Sequence, residues 1–252
     1  MKKLGLLLFC LTVTSLLAQD NQFKGIGSFL SPDQWSMNKL PTLENPGIIN
    51  KGDSTMPTFI AKMALIQNGG RLHDFEDKGL NLRSHSRFTI EDARENYSEY
   101  TNLDISGQLT LWSNKANTLC ELNIISGSVK AGELSLLGAE VSIKNGLLKA
   151  GLLTQSPKAS ITFLAKGKGK IIIADIGDKQ LNQLYIEFEP GNQGSFTIGS
   201  KDRSTYDLIK WMIEQGRFLS NKVEKTDLNS FIITKDKHST SIALKPSTII
   251  SI

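Results

Sequence analysis

The chain has 252 residues, which is enough for one long domain or for one body with a small appendage, and it can bury a substantial core. Its 29 basic and 25 acidic residues give a net charge of +4. This small excess does not indicate nucleic-acid binding, and no nucleic-acid partner is expected.

Residues 1–18 have the order of a secretory signal peptide. Lys2 and Lys3 form a charged start, residues 4–17 are almost wholly apolar, and cleavage is expected after Ala18. The apolar run is shorter than the ~20 residues that cross a bilayer, so we expect no transmembrane segment after cleavage. The predicted location is therefore outside the cytoplasm: extracellular, at the cell surface or in the periplasm.

The predicted mature chain keeps 27 basic and 25 acidic residues, because the leader holds two lysines and no acid. It keeps one of the two cysteines, Cys120, so no internal disulfide can form. Cys120 lies in the strand-like segment TLCEL and is expected to be a small buried hydrophobe. Stability is therefore expected to come from packing.

Three segments follow the leader. Residues 19–56 are polar with little periodicity and predict an N-terminal lead-in or cap. Strand-like runs begin after Pro57, and residues 57–200 are expected to form a β-solenoid body. Residues 201–252 predict a C-terminal cap.

The body contains a duplication. Residues 122–134 read LNIISGSVKAGEL and residues 141–153 read VSIKNGLLKAGLL, so apolar residues, lysine and glycine recur nineteen positions apart. Short apolar alternations broken by glycine are typical of strands and turns. A constant offset favours a parallel β-solenoid, because like residues then stack on successive coils. A β-sandwich of hairpins is the alternative.

The series is predicted to continue on both sides of the duplication. Leu103 and Ile105 are predicted as the preceding members, because they lie nineteen residues before their counterparts in the first copy. Ile161 and Phe163 are predicted as the following members, with one residue added. The predicted fold class is all-β: a single-stranded parallel β-helix of ~19–20-residue turns with a helix-containing C-terminal cap.

The C-terminal cap is predicted to contain one helix and terminal strands. Ser204 and Asp207 have the spacing of a capping box, and Gly216 is expected to end the helix. The predicted apolar face consists of Leu208, Ile209, Trp211, Met212 and Gln215. Solenoid ends need a cover, because an open coil exposes core and strand edges. The alternative is that this helix binds a partner.

Several segments resemble exported bacterial β-solenoid surface proteins, both autotransporter passenger-like proteins and repeat proteins with sorting signals. SPDQWSMNKLPTLENPGIINKG (residues 31–52) is similar to their opening, in which Trp35 and Pro41 fit a P-x-x-W stretch and a later proline. LNIISGSVKAG is similar to their LNISGGTV repeats, and IEFEPGNQGSFTIG with YDLIKWMIEQGRF resembles their terminal module. The resemblance implies structural and adhesive roles and brings no catalytic residues.

Parallel β-solenoids also include enzymes that cleave acidic polysaccharides through clustered carboxylates. The sequence has no Asp-Asp pair, no NTD and no GHG, so we predict no catalytic residue, no metal site and no cofactor. The candidate ligand-binding residues are acidic, basic and aromatic: Glu91, Asp92, Arg94, Glu95, Tyr97, Trp112, Lys166, Lys168 and Lys170.

The expected function is a non-enzymatic secreted or cell-surface β-solenoid with a structural or adhesive role. The alternative is a carbohydrate-active β-helix that binds or cleaves an acidic polysaccharide. The expected partners are surface polysaccharide or other components of the cell envelope.

Overall fold

The fold is known from a computed structural model that describes residues 20–246 apart from 25–27, 51–52, 69–70, 84–85, 92–100, 114–119, 156–157, 177–180, 182, 201–203 and 221–227. The predicted leader lies outside the described residues. The strands are β1 (Asn21–Gln22), β2 (Gly47–Ile49), β3 (Asp53–Met56), β4 (Phe59–Ile60), β5 (Ala64–Gln67), β6 (Arg71–Asp74), β7 (Leu80–Leu82), β8 (Ser86–Ile90), β9 (Asn102–Trp112), β10 (Cys120–Ile124), β11 (Ser128–Leu137), β12 (Glu140–Ile143), β13 (Leu147–Gln155), β14 (Ala159–Phe163), β15 (Lys170–Asp175), β16 (Leu184–Phe188), β17 (Ser195–Gly199), β18 (Phe218–Ser220), β19 (Phe231–Lys235) and β20 (Ser239–Leu244). The helix α1 spans Thr205–Glu214.

These strands form two long sheets. The first sheet has the order β1-β2-β5-β8-β10-β12-β14-β16-β18, and all its pairs are parallel. The second runs β3-β6-β9-β11-β13-β15-β17-β20-β19, with β4 and β7 beside it. The chain visits the two sheets in turn, so each coil adds one layer to both. The predicted parallel β-helix is confirmed.

The second sheet bends, which gives each central coil a third side. β6 pairs with the start of β9, where Arg71 lies opposite Asn102, and β7 pairs with its end, where Leu80 lies opposite Leu109. The register between β9 and β11 shifts at the bend, between Ala131 and Glu133. A single long strand thus serves two faces of the solenoid.

Buried apolar residues stack in columns between the sheets. In the first sheet the column runs Leu65, Phe88, Leu122, Val141, Ile161, Ile186 and Phe218. In the second sheet it runs Leu72, Leu103, Val129, Leu148, Ile171, Phe196 and Ile242. Every member is at most 1% exposed. Alternate residues of each strand point inwards, so the apolar–polar alternation of the sequence places these columns in the core.

The offset of nineteen holds where the connections are short. It relates Leu122 to Val141, and the next step from Val141 to Ile161 is twenty, as predicted. The backward extension is wrong, because Leu103 lies opposite Val129 in the second sheet, twenty-six residues later. Ile105 likewise pairs with Ala131. Longer connections on the neighbouring coils separate sequence spacing from spatial equivalence.

The N-terminal end of the stack is closed by aromatic residues. Trp35 is fully buried, forms an antiparallel bridge with Phe23, and donates from Nε1 to the carbonyl of Phe29 at 2.9 Å. The rings of Phe23 and Phe29 stack at 4.2 Å between centroids. The parallel ladder reaches into this region, since β1 and β2 both precede residue 57.

The C-terminal end is closed by α1 and by the antiparallel hairpin of β19 and β20, which pairs with β17. Helix α1 begins after Ser204, whose side chain makes no capping hydrogen bond. Asp207 has one methylene fewer than the Glu or Gln of a capping box, and the predicted box does not form. Gly216 follows the helix with φ +65°, as predicted.

The predicted apolar face of α1 is partly wrong. The buried residues of the helix are Thr205, Ile209, Met212 and Ile213. Trp211 is 39% exposed and Gln215 is exposed. The stripe that faces the stack therefore contains Ile213 and lies to one side of Trp211.

Candidate anion-binding groove

The connections from the first sheet to the second stack on one another along one corner of the solenoid. Four of the described connections end in a glycine directly before the next strand: Gly127, Gly146, Gly169 and Gly194. A Cβ on Gly146 would lie 2.3 Å from Ile124 Cγ2, and one on Gly127 would lie 2.5 Å from the carbonyl oxygen of Thr101. Real side chains do not fit at such distances, so glycine allows successive coils to pack closely at this corner.

A groove of about 480 Å³ runs along this corner. Lys130, on one coil, and Lys168 and Lys170, two coils further on, supply its cationic side chains. Gly127, on the coil of Lys130, and Gly146, on the coil between, also line the groove and have no side chain to fill it. We name this cavity, with all its lining residues, the lysine groove.

Uncharged side chains complete the lining of the lysine groove. They are Asn102, Ser128, Asn145 and Leu147. The Ser128 hydroxyl donates to Oδ1 of Asn102. Oδ1 of Asn145 accepts the backbone N–H of Lys168 at 3.2 Å, which fixes the amide and leaves its Nδ2 group as a donor. Leu147 is half-buried and offers an apolar surface.

More lysines surround the groove on the same three coils. The exposed lysines of this corner are Lys130, Lys144, Lys149, Lys166, Lys168 and Lys170, and we call them the corner lysines. The sheet register brings them together, because Lys130 lies opposite Lys149 and Leu147 lies opposite Lys170 in adjacent strands. Neighbouring strands are about 4.8 Å apart, so the backbones of the six corner lysines lie on three adjacent layers of the stack.

Two carboxylates lie beside this cluster: Asp104 near Lys130, and Glu189, which accepts the backbone N–H of Ala165 at 2.8 Å, next to Lys166. Lys130 Nζ lies 3.8 Å from Oδ1 of Asp104. The other oxygen of this carboxylate, Oδ2, accepts a hydrogen bond from Arg71 Nε at 2.7 Å. Within the described part of the chain, the other five corner lysines form no ion pair with a carboxylate. Like charges at this spacing repel, and a bound anion relieves that repulsion. The positive charge is therefore local, although the whole chain is only weakly basic.

The structure brings together some of the sequence-predicted ligand residues and separates others. Lys168 and Lys170 line the lysine groove, and Lys166 lies in the same connection, exposed and with φ +56°. Trp112 ends β9, at the opposite end of that strand from Asn102, where the Arg83 guanidinium lies 4.6 Å from its ring centroid. Trp112 is therefore not an aromatic platform for the groove.

The acidic segment is only partly described. Glu91 directly follows β8, is half-buried, and donates its backbone N–H to the carbonyl of Gln67. It does not line the groove. Asp92, Arg94, Glu95 and Tyr97 lie outside the described residues.

The groove residues that come from other coils are not predicted by the sequence. Lys130, Asn102, Ser128 and Asn145 stand up to 66 positions before Lys168 in the sequence and meet it only through the coil register. One signal was available, since Lys130 and Lys149 are equivalent positions of the duplicated KAG segments. Two stacked lysines already predict a basic column.

No group of three or more His, Cys, Asp or Glu side chains among the described residues is placed to hold a metal ion. None of the helices found there is long and apolar enough to cross a membrane. Comparison with known proteins finds no matching family model, no matching curated protein and no matching solved structure.

Proposed function

We propose that this protein is a non-enzymatic exported β-solenoid with a structural or adhesive role at the cell surface, and that it attaches to anionic ligands through the lysine groove. Export rests on the signal-peptide character of residues 1–18. Attachment rests on one observation: six exposed lysines on three consecutive coils, five of them without an ion-pair partner among the described residues.

A rigid scaffold suits such a role. The columns of buried side chains fix the spacing of the strands, and the outward residues of the same strands share that spacing. A charged surface of this kind is held in one geometry without a cost for ordering loops on binding. The solenoid thus fixes the spacing of the lysine backbones, and only the flexible lysine side chains are ordered on binding.

Adhesion also fits the strength of the individual contacts. An exposed ion pair contributes about 0–1 kcal/mol, and salt weakens it further. A polymer that meets several corner lysines at once gains affinity through multivalency. Binding of a polyanion is therefore expected to be much tighter than binding of a single small anion.

The test compares charge reversal in the groove with the same charge change elsewhere. The mature chain from Gln19 is passed over a carboxylate-bearing polymer matrix, beside the variants K168E/K170E and K237E/K245E. Lys237 and Lys245 are exposed residues of the C-terminal hairpin region and change the net charge by the same amount. We expect retention by the wild-type and the hairpin variant, and loss of retention for the groove variant.

Two results would overturn the proposal. Equal retention of both variants would show that the groove is not the binding surface. Release of reducing ends from any polysaccharide by the wild-type protein would show that it is an enzyme. Fractionation of the producing cells, with the mass of the N-terminal peptide, tests export separately.

A further inference from the structure

We propose that the lysine groove binds an acidic polysaccharide, a linear chain of carboxylate-bearing sugars, which lies parallel to the axis of the solenoid. This inference rests on the proposed function and names the ligand class of its site. It follows from three properties of the groove: the direction in which its residues repeat, the mixture of groups in its lining, and the kind of cation that it uses.

The groove residues repeat along the solenoid axis. Asn102, Ser128, Leu147 and Lys170 lie opposite one another in four successive strands of the second sheet. This stripe spans about 14 Å, in steps of about 4.8 Å. A pyranose in an extended chain has a similar length. Successive sugars of a chain that lies parallel to the axis therefore contact successive coils.

The lining has the mixture of groups that a sugar requires. A sugar has hydroxyl groups at its rim and C–H groups on its faces. Asn145 and Ser128 provide amide and hydroxyl groups for hydrogen bonds, and the half-buried Leu147 provides an apolar contact for a C–H face. A groove that attracted small inorganic anions alone would need only the charges.

The cationic side chains of the described lining are flexible point charges. Every cationic residue in the described part of the lining is a lysine, and that part contains no aromatic residue and no arginine. Arginine is the residue of choice for bidentate recognition of carboxylate and phosphate alike, whereas lysine acts as a point charge toward either. Sequence-tolerant binding of single-stranded nucleic acids relies on aromatic side chains that stack on bases. The lining therefore favours a uronic-acid chain over a nucleic acid.

The experiment uses the mature protein and probes of matched backbone. Binding of de-esterified oligogalacturonate is measured by calorimetry at low and at physiological salt. Fully methyl-esterified oligogalacturonate has the same sugars without the charges and is the matched control. Inorganic polyphosphate and a single-stranded oligonucleotide of equal total charge test whether other polyanions bind as tightly. The variants are K168E/K170E, the neutral K168Q/K170Q and the hairpin control K237E/K245E.

We expect the de-esterified chain to bind at least about tenfold more tightly than the esterified chain, and K168E/K170E to lose about tenfold or more. K168Q/K170Q is expected to lose less, and the hairpin control to bind as the wild-type does. Polyphosphate or oligonucleotide binding that equals or exceeds uronate binding would overturn the glycan assignment and leave the adhesive function standing. Failure to bind any of the polyanions would overturn both.

Discussion

The buried carboxylate of Asp74 accepts the backbone N–H of Gly107, 33 residues further along the chain, at 3.0 Å. The same side chain also accepts the N–H groups of Gly79 and Ser106, both at 2.9 Å. Burial by itself raises the pKa of a carboxyl group, but here the backbone N–H groups outweigh it and hold the pKa of Asp74 below its ordinary value. Asp74 thus ties two coils together at a bend of the second sheet.

We expect Asp74→Ala to destabilise the fold by about 2–4 kcal/mol, because it leaves three backbone donors without their acceptor. The exposed Glu44→Gln in the N-terminal region is the control and is expected to change the free energy of unfolding by less than about 0.5 kcal/mol. Denaturant unfolding at neutral pH measures both. Equal stability of the two variants would contradict this role of Asp74.

The same carboxylate predicts a pH dependence. Because its pKa is lowered in the folded state, the unfolded chain binds the proton more readily, and the contribution of Asp74 is complete only above the unfolded pKa of about 3.9. It is lost as the pH falls from that value through the lower folded pKa. Unfolding curves between pH 6 and pH 2 should therefore fall less steeply for Asp74→Ala than for the wild-type protein. Parallel curves would exclude Asp74 as a source of acid sensitivity.

The glycine corner gives a prediction about packing. Gly127 has φ +81° and its Cβ would lie 2.5 Å from the carbonyl oxygen of Thr101, whereas Gly216 has φ +65° with no heavy atom within 4 Å of its Cβ position. Gly216→Ala therefore introduces backbone strain alone, about 1–2 kcal/mol. Gly127→Ala adds a steric clash and should cost about 1–3 kcal/mol more. Thermal and denaturant unfolding measure the stability of both variants. Equal losses of stability would show that a methyl group fits at the corner.

The aromatic cover of the N-terminal end gives another prediction. Trp35→Ala removes a fully buried side chain and should destabilise the protein by about 3–5 kcal/mol. It also uncovers the first coil, so we expect concentration-dependent association in light scattering. Trp211, which is 39% exposed on α1, provides the matched control. A Trp35→Ala protein as stable and as monodisperse as Trp211→Ala would show that the cover is dispensable.

Cys120 is expected to be unreactive in the native protein. It is fully buried, its Sγ donates to the carbonyl oxygen of Leu82 at 3.3 Å, and burial raises the pKa of its thiol, so little thiolate forms at neutral pH. A colorimetric thiol reagent should react with the mature chain only as it unfolds. Ser204→Cys, at an exposed position, should react at once. Rapid reaction of native Cys120 would contradict its burial.

The sequence predicted the coil and its direction because the duplication spans two coils with equal connections. The pairing of Leu122 with Val141 could be predicted from the sequence, because three residues separate β10 from β11 and three separate β12 from β13. Leu103 could not, because the longer connections before β9 and before β10 shift its partner to Val129. A fixed period thus identifies a solenoid but does not register all of its coils.

The candidate groove shows the same dependence on register. Lys168 and Lys170 were visible as a basic segment, but Lys130 faces them only because glycine-containing turns let three coils pack closely. Trp112 is a candidate by residue type alone, and the length of β9 places it at the far end of that strand. Composition therefore suggested the chemistry of the site, and its members depended on the strand pairing.

The connections at the corner that carries the lysine groove differ in length, and this has a practical consequence for engineering. Ile124 joins β11 through three residues, whereas eleven residues separate Ile90 from β9, and both pairs of strands keep the parallel register. The cost of lengthening a flexible loop grows only slowly with its length. Foreign recognition loops inserted between Lys144 and Gly146 should consequently leave the stack intact. The molecule could then serve as a scaffold for grafted loops. Loops on different coils would be separated by whole multiples of the spacing between strands.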